Sequence, residues 1–561
     1  MRIRPQWIFE LAACLYIGLA AQTILLPGIY GDEVLQAVGS LHFLRGTSPE
    51  IVQVSSIEIA NRAFPVMTLP YLGSLQSWLL LIPFGLVGAS VPVMRLSFVL
   101  VGLIPLALTF RVARQLFGGS VAAATTLLLA TDASYIFSSR SDNGPMLVML
   151  ICKLAVMSTV ISWWRRGQAT SRFAGCFFVG LGLYDKLNFA WFLAALTLAT
   201  AALYARPVWL RAKRLRASQW AESGMWAMLG AIPLAYYLIL GGWQAVLGGL
   251  QRLDASKTSM FGNRNTDVWH ALALRLSQLW DVLAGNKLLD FYMDSVRGMD
   301  QHVPYLTTRG LFDASLFPLT TLFAIAGILI LGLIKRNAEW RKLIWLIAQA
   351  SLMFVFSLRT LTQLSYHHLF ILYPIPHLLS GWLLTQTKYL LNTTRLRTAR
   401  HLQAVLFLPV FAMALINSGA TQKNYEVLRE TGGIGNWSDS IYPVAHYFEN
   451  DPRTLIALSW GINFNIAFLS EGKLNVQEHW REYLESRAYD SKMAQLIQQP
   501  NQVYLMLQPE FALNSLFTDD IDRPRLTLFA TAKQLGRTPH LEKQFFQRDG
   551  RLLLEVYTIQ P

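Results

Sequence analysis

Residues 70–90 read PYLGSLQSWLLLIPFGLVGAS, and whether this stretch crosses a membrane decides the fold of the chain. It is long enough to do so, since about 20 apolar residues cover the hydrocarbon core of a bilayer. Its prolines, its glycines and the polar pair Gln76 and Ser77 suit an interfacial or re-entrant course instead. If it crosses, VPVMRLSFVLVGLIPLALTF at 91–110 crosses back and the basic segment RVARQ at 111–115 lands outside. Four later basic loops are then inverted too: WWRRGQATSR (163–172), RPVWLRAKRLR (206–216), KRNAEWRK (335–342) and KYLLNTTRLRTAR (388–400). Lys and Arg accumulate in cytoplasmic loops. An interfacial course for 70–90 satisfies all five at once.

The composition supports a membrane protein throughout. Of 561 residues, 53% are hydrophobic and only 15% charged, against roughly 25% charge in soluble domains. The net charge of +14 is accounted for by orientation-setting loops, so nucleic acid is not an expected partner; membrane lipids are. Cys14, Cys152 and Cys176 all lie in apolar segments, without metal-ligand spacing. The basic start MRIRPQW leads into a span with no small-residue cleavage site and reads as a retained cytoplasmic anchor.

This reading gives about eleven transmembrane helices, near 6–29, 93–112, 119–138, 145–163, 172–186, 189–206, 222–243, 314–334, 341–358, 367–386 and 402–419. The N-terminus is inside and the C-terminal region outside. Residues 1–420 form the membrane domain. From 421 to 561 the composition becomes that of a soluble α/β domain on the extracytoplasmic side: RTLIALSW (453–460) and NQVYLMLQ (501–508) read as buried strands. EHWREYLESRAYDSKMAQLIQ (478–498) reads as helix, and FFQRDGRLLLEVYTI (545–559) as a hairpin turning at Asp549-Gly550.

Chemistry-bearing residues gather at one outer surface. Asp32 and Glu33, in GIYGDEVLQ (28–36), follow the first span. Arg140 and Asp142, in SSRSDNG (138–144), occupy the next outer turn. Asp185, Lys186 and Asn188, in GLYDKLN (182–188), fill another. Arg359, Gln363, His367 and His368 border the late segment HHLFILYPIPHLL (367–379). Singly, each has a plain structural role: a helix end, an exposed ion pair, a snorkelling lysine. Together they count for more, because ionisable groups near membrane depth are costly and usually functional. A carboxylate can take the proton of an attacking hydroxyl or amine, and Lys or Arg can stabilise charge on a leaving phosphate. The chemistry indicated is group transfer from a lipid phosphate.

The order of these motifs, with GASVPVMRLSFVLVG (88–102) and ARQLFGG (113–119) between them, resembles the C-type (GT-C) membrane glycosyltransferases. The resemblance is to the branch with protein O-mannosyltransferases and bacterial aminoarabinose transferases, and it covers about residues 1–420. It implies the GT-C fold, interfacial helices in the first outer loop, and inverting transfer of a sugar from a polyprenyl-phosphate donor. The acceptor would be a glycolipid, polysaccharide or protein, reached on the extracytoplasmic face of a bacterial inner membrane. Carried over, the resemblance makes Asp32 the general base with Glu33 its neighbour or alternate. Asp142 is the second acid, and Lys186 a donor-phosphate ligand. Arg359, His367 and His368 are further phosphate candidates; the family's late motif often has Arg or Lys where this chain has histidines. Arg140 and Asn188 remain additional candidates. No metal is expected to be required, although Asp32, Glu33 and Asp142 are possible ligands. A flippase of lipid-linked sugars would need a charged path through the bilayer, and only Lys153 stands well inside a span. A non-catalytic scaffold would not need the acidic motif. WGINFN (460–465) reads as a strand-to-helix surface loop of the C-terminal domain.

Overall fold

The computed structural model describes residues 4–46, 54–142, 144–253, 268–285, 315–334, 338–358, 366–386, 407–459, 461–479, 489–511 and 522–561. The chain enters through α1 (Pro5–Ala20), which opens on Pro5, a residue whose missing N–H costs nothing at a first helical position. The helix is shorter than the predicted first span. Residues 21–30 turn instead, with Thr23 in the left-handed region and Pro27 unable to supply a helical N–H.

The first outer loop holds α2 (Gly31–Arg45) and α3 (Leu75–Val87). At about 1.5 Å per residue, the thirteen residues of α3 are too short to cross the bilayer alone. Between these helices lies a sheet the sequence reading missed, of β1 (Ser55–Ile59), β2 (Arg62–Leu69) and β3 (Leu72–Gly73) in that order, antiparallel throughout. Its hairpin turns on Ala60 and Asn61, both with positive φ, as a two-residue turn between right-twisted strands requires.

The helical body continues with α4 (Val91–Phe117), α5 (Gly119–Ala130), α6 (Ala133–Ser141), α7 (Leu147–Arg166), α8 (Ala169–Asp185) and α9 (Phe189–Ala212). Among the described residues, α4, α7 and α9 are long and apolar enough to cross a membrane. Counting two bent pairs as single spans raises the number to five: α5 with α6, bent by 63°, and Ala217–Gly230 with Ile232–Gly248, bent by 72°. The eleven predicted spans are therefore not matched one for one by straight helices. The first bend has a local cause. Asp132 leaves helical geometry and its Oδ1 accepts from Tyr135 N at 2.7 Å, capping α6. Helix packing uses small residues, as membrane helices do: a Cβ at Gly180 would meet the Ala227 carbonyl, and one at Gly230 the Phe177 carbonyl.

The change in composition at 420 falls inside one helix, Leu408–Thr431. Beyond it, β4 (Thr454–Ala457), β5 (Val476–Glu478), β6 (Gln502–Leu507), β7 (Thr538–Phe546) and β8 (Leu552–Gln560) form a sheet of order β5-β4-β6-β8-β7. β4 is parallel to β5 and β6, and β8 is antiparallel to β6 and β7. Alternation sends Ile456, Tyr504 and Met506 into a small core under the helices Tyr489–Gln498 and Arg523–Gln534. The opposite set, Leu455, Ala457, Val503, Leu505 and Val556, joins the core of the helical body. The sheet is welded to that body rather than tethered to it.

Candidate active site

The site forms where α2 begins. Asp32 and Glu33 both lie in its first turn, where the helix dipole favours negative charge. Their surroundings nevertheless differ completely. Glu33 is buried and gripped by Arg95 of α4, which donates Nε to Oε1 at 2.6 Å and Nη2 to Oε2 at 2.8 Å, both side chains being fully buried. The same guanidinium donates to the carbonyls of Ile24 and Pro27, each at 2.9 Å. Arg140 of α6 does similar work on the same segment, donating to the carbonyls of Gln22 (2.9 Å), Thr23 (2.7 Å) and Leu26 (2.6 Å). It also packs over the rings of Phe137 and Tyr425. Arg140 is thus committed to the turn leading into α2. Arg95 was not singled out from the sequence; an arginine near the start of the apolar run 91–110 was the available signal.

Asp32 keeps part of its surface open, while its carboxyl lies deep in the protein. Burial pushes its pKa up to about 7 against the opposing pull of Lys186. Asp142 follows α6 in a left-handed conformation with φ 39°. Its Oδ1 accepts from the N–H groups of Met146 (2.8 Å) and Leu147 (3.1 Å), and Oδ2 has no hydrogen-bond partner. Burial raises this carboxyl to about 7 as well, while those two N–H bonds and Lys186 pull it down.

Lys186, directly after α8, feels the charges of Asp185, Asp142 and Asp32 together and donates to the Gly144 carbonyl. Asp185 is buried with Oδ2 unpartnered, and neither polar atom of the Asn188 amide has a partner. Such groups are costly to leave unmade in a folded chain.

Two devices bring these distant segments together. Lys186 pairs with Leu72 as a β-bridge, and Leu187 N donates to Tyr71 O at 3.1 Å, tying the end of α8 to β3. On α2, Gln36 donates to Gly73 O (2.8 Å) and accepts from Thr68 (3.0 Å) and Ser77 (2.8 Å). β3 thereby fixes Asp32 relative to Lys186. Neither device was read from the sequence, because it depends on polar side chains that only pairing brings close.

His368 is half-buried in the 3-10 turn Tyr366–Leu372. The backbone of His367 belongs to the same turn, its side chain lying outside the described residues, as do Arg359 and Gln363. Lys153 of α7 is spent on this segment: its Nζ donates to the carbonyls of Ile371 and, at 2.9 Å, Tyr373. Beside it, Asp132 accepts from the Tyr373 hydroxyl (3.2 Å) and lies 3.2 Å from His377 Nε2. Lys153 is therefore a structural tie. Among the described residues, no three His, Cys, Asp or Glu side chains are grouped to hold a metal ion.

This architecture is similar in fold to the solved structures of ArnT and of the oligosaccharyltransferase AglB. It is similar to the crystal structure of ArnT from Cupriavidus metallidurans bound to undecaprenyl phosphate, with a TM-score of 0.58 at 14% identity, over 98% of this chain and 97% of that one. ArnT in the apo state matches with a TM-score of 0.55 at 12% identity over the same shares. The archaeal oligosaccharyltransferase AglB from Archaeoglobus fulgidus, in complex with an inhibitory peptide and a dolichol-phosphate, has a TM-score of 0.51 at 11% identity, over 90% of this chain and 69% of that one. Neither the protein-family models nor the curated protein sequences contain a match. The likeness is of fold, carried by topology rather than by sequence.

Proposed function

We propose that this protein is a glycosyltransferase that moves a sugar from a polyprenyl-phosphate donor to an envelope acceptor on the extracytoplasmic face of a bacterial inner membrane. The acceptor is a glycolipid, a polysaccharide or a protein. The observation that carries the reading is the convergence of Asp32, Asp142, Asp185 and Lys186 at one corner, with carboxylate oxygens left unpartnered in a membrane protein. The fold supports it, since the ArnT crystal structure is bound to undecaprenyl phosphate and the AglB structure is a complex with an inhibitory peptide and a dolichol-phosphate.

In this reading Asp32 takes the proton of the acceptor hydroxyl or amine as that group attacks the anomeric carbon. The new glycosidic bond forms on one face while the bond to the phosphate oxygen breaks on the other, its electron pair leaving with the lipid phosphate. The configuration inverts. Lys186 stabilises the leaving phosphate; His367, His368 and Arg359 are further ligands for it. Asp142 orients the acceptor, and Asn188 offers an amide donor and acceptor for sugar hydroxyls. Glu33 is held by both oxygens and serves as the anchor of α2, not as the base. The reaction needs no metal, because the proton has a carboxylate to go to and the phosphate a lysine.

The test is transfer of labelled sugar from a panel of polyprenyl-phosphate sugars to envelope extract, with purified protein in lipid. Wild type transfers and a well-folded Asp32→Asn protein does not. Equal transfer by both would remove Asp32 from the mechanism. Transfer by neither, with lipid-linked sugar crossing liposomes, would replace the reading with a flippase.

A further inference from the structure

The C-terminal domain reaches the helical body at the residues next to Asp32. The segment GGIGNWSD (432–439) is fixed to the C-terminal sheet on one side. Gly435 N donates to Gln547 (2.8 Å), Asn436 donates to Phe511 O (2.8 Å), and Ser440 donates to Phe546 O (2.8 Å). On its other side it holds the turn that leads into α2. Gly28 N donates to Gly432 O at 3.2 Å, and the Tyr442 hydroxyl donates to Leu25 O at 2.8 Å. Trp437, buried, stacks on Tyr30 with ring centroids 4.5 Å apart and planes inclined by 21°. Tyr30 is the residue before α2 and two before Asp32.

WGINFN makes a second contact. Its helix, Ile462–Leu469, starts after Gly461, whose φ of 85° favours glycine. Gly461 lies so close to Gly31 that a Cβ on Gly31 would sit 2.9 Å from the Gly461 Cα. Further along, Arg45 pairs with Glu471. The two helices therefore run side by side in the same direction, their first turns abutting where Asp32 stands. A side chain at Gly31 would prevent that approach, and Gly461 is needed for its left-handed backbone.

We propose that segments 432–439 and 461–465 are a working wall of the active site: they set the position of Asp32 and keep water from its carboxyl, with Trp437 and Gly461 as positioning residues. This rests on the reading of Asp32 as the base. The charged and titratable groups facing Asp32 come from the helical body: Lys186, with Asp142 and Asp185 beyond it, Tyr30 beside it, and Glu33 held by Arg95. The wall residues Trp437, Gly461 and Ile462 are neutral. The acid in the 432–439 segment, Asp439, is paired with Arg548 at 2.6 Å. The wall therefore acts by excluding water rather than by charge. Burial is also the main cause that raises Asp32, so opening the wall lowers that pKa. The rate then falls, and its acid limb moves to lower pH.

The full-length protein in lipid provides the test, with Trp437→Ala, Trp437→Phe and Gly461→Ala beside Asp32→Asn. Glu542→Gln serves as control; its partner is Arg453, in an ion pair on the outer strand β7. Trp437→Ala is expected to lower kcat about tenfold or more, with donor KM within about twofold, as small misplacements of catalytic groups do. Its acid limb moves to lower pH, while Trp437→Phe and Glu542→Gln keep the wild-type profile. Gly461→Ala, the milder change, moves the limb the same way and decides the matter if Trp437→Ala does not fold. A wild-type profile and rate in both positioning variants overturns the wall, as does a fall in rate with an unmoved limb. If Asp32→Asn itself transfers, the base assignment fails and the wall with it.

Discussion

Two charged regions lie within one turn of α2 and have opposite characters. In the first, Arg95 holds both oxygens of Glu33, and Arg95 and Arg140 donate to the carbonyls of residues 22–27, only the Arg140 Nε being left over in that set. In the second, Asp32, Asp142, Asp185, Lys186 and Asn188 keep polar atoms without partners or carboxyls raised by burial. Charge inside a membrane protein is thus not by itself a mark of function. A satisfied buried charge holds the backbone in place, and an unsatisfied one is free to bind or react.

Mutation can break that comparison. The largest expected effect is on rate in the second region. Asp32→Asn should cost about 10²- to 10⁴-fold in transfer, the usual worth of a general base, with an unchanged melting temperature in detergent. The counterpart in the first region is Arg95→Ala, which strands Glu33. Breaking a buried pair in this way costs about 3–5 kcal/mol, to be read as lost thermal stability and yield. If Arg95→Ala melts like wild type, the structural reading of that region is wrong. Lys186→Met comes next: losing charge-assisted bonds worth about 1.5–3 kcal/mol should weaken donor use by about 10- to 100-fold, visible in kcat/KM for the donor. Smaller still is Gln36→Leu, which removes the side-chain bonds from α2 to Gly73, Thr68 and Ser77 at a cost of about 1–3 kcal/mol, seen in thermal melting.

The pH dependence sharpens the contrast further. Asp32 must be ionised to accept a proton, and burial holds it near 7. Transfer should therefore rise with pH through about 7 and fall away below it, whereas a base of ordinary carboxylate pKa would leave the rate flat down to about pH 5. A flat profile from pH 5 to 8 would argue against Asp32 in this role.

Part of this was legible in the chain. Apolar length and the distribution of Lys and Arg marked a membrane body. Pro83 and Gln76 pointed to a course other than a span for residues 70–90, where the structure has a helix of thirteen residues. The apolar run within 501–508, read as a buried strand, and the Asp549-Gly550 turn gave β6 and the β7–β8 hairpin. Local signals served well in these places, because a short apolar run bounded by polar residues and a turn dipeptide are both read within a few positions. The sheet β1–β3 was not legible, since Pro65 interrupts the pattern of β2 and β3 is only two residues long.

The sequence by itself determined that this is a helical membrane protein with an appended α/β domain and acids gathered on one face. It also determined which residues those acids are, because local order and composition are enough for that. Which acid is paired off was decided only by tertiary structure. Asp32 and Glu33 are adjacent and alike in the chain, but Arg95, 62 residues away, takes one of them. Lys186 of the α8 end faces the other, with Trp437 stacked on Tyr30 and Gly461 against Gly31 just before it. The environment of a buried charge is set by partners distant in sequence, and in a medium of low dielectric that environment outweighs the identity of the residue.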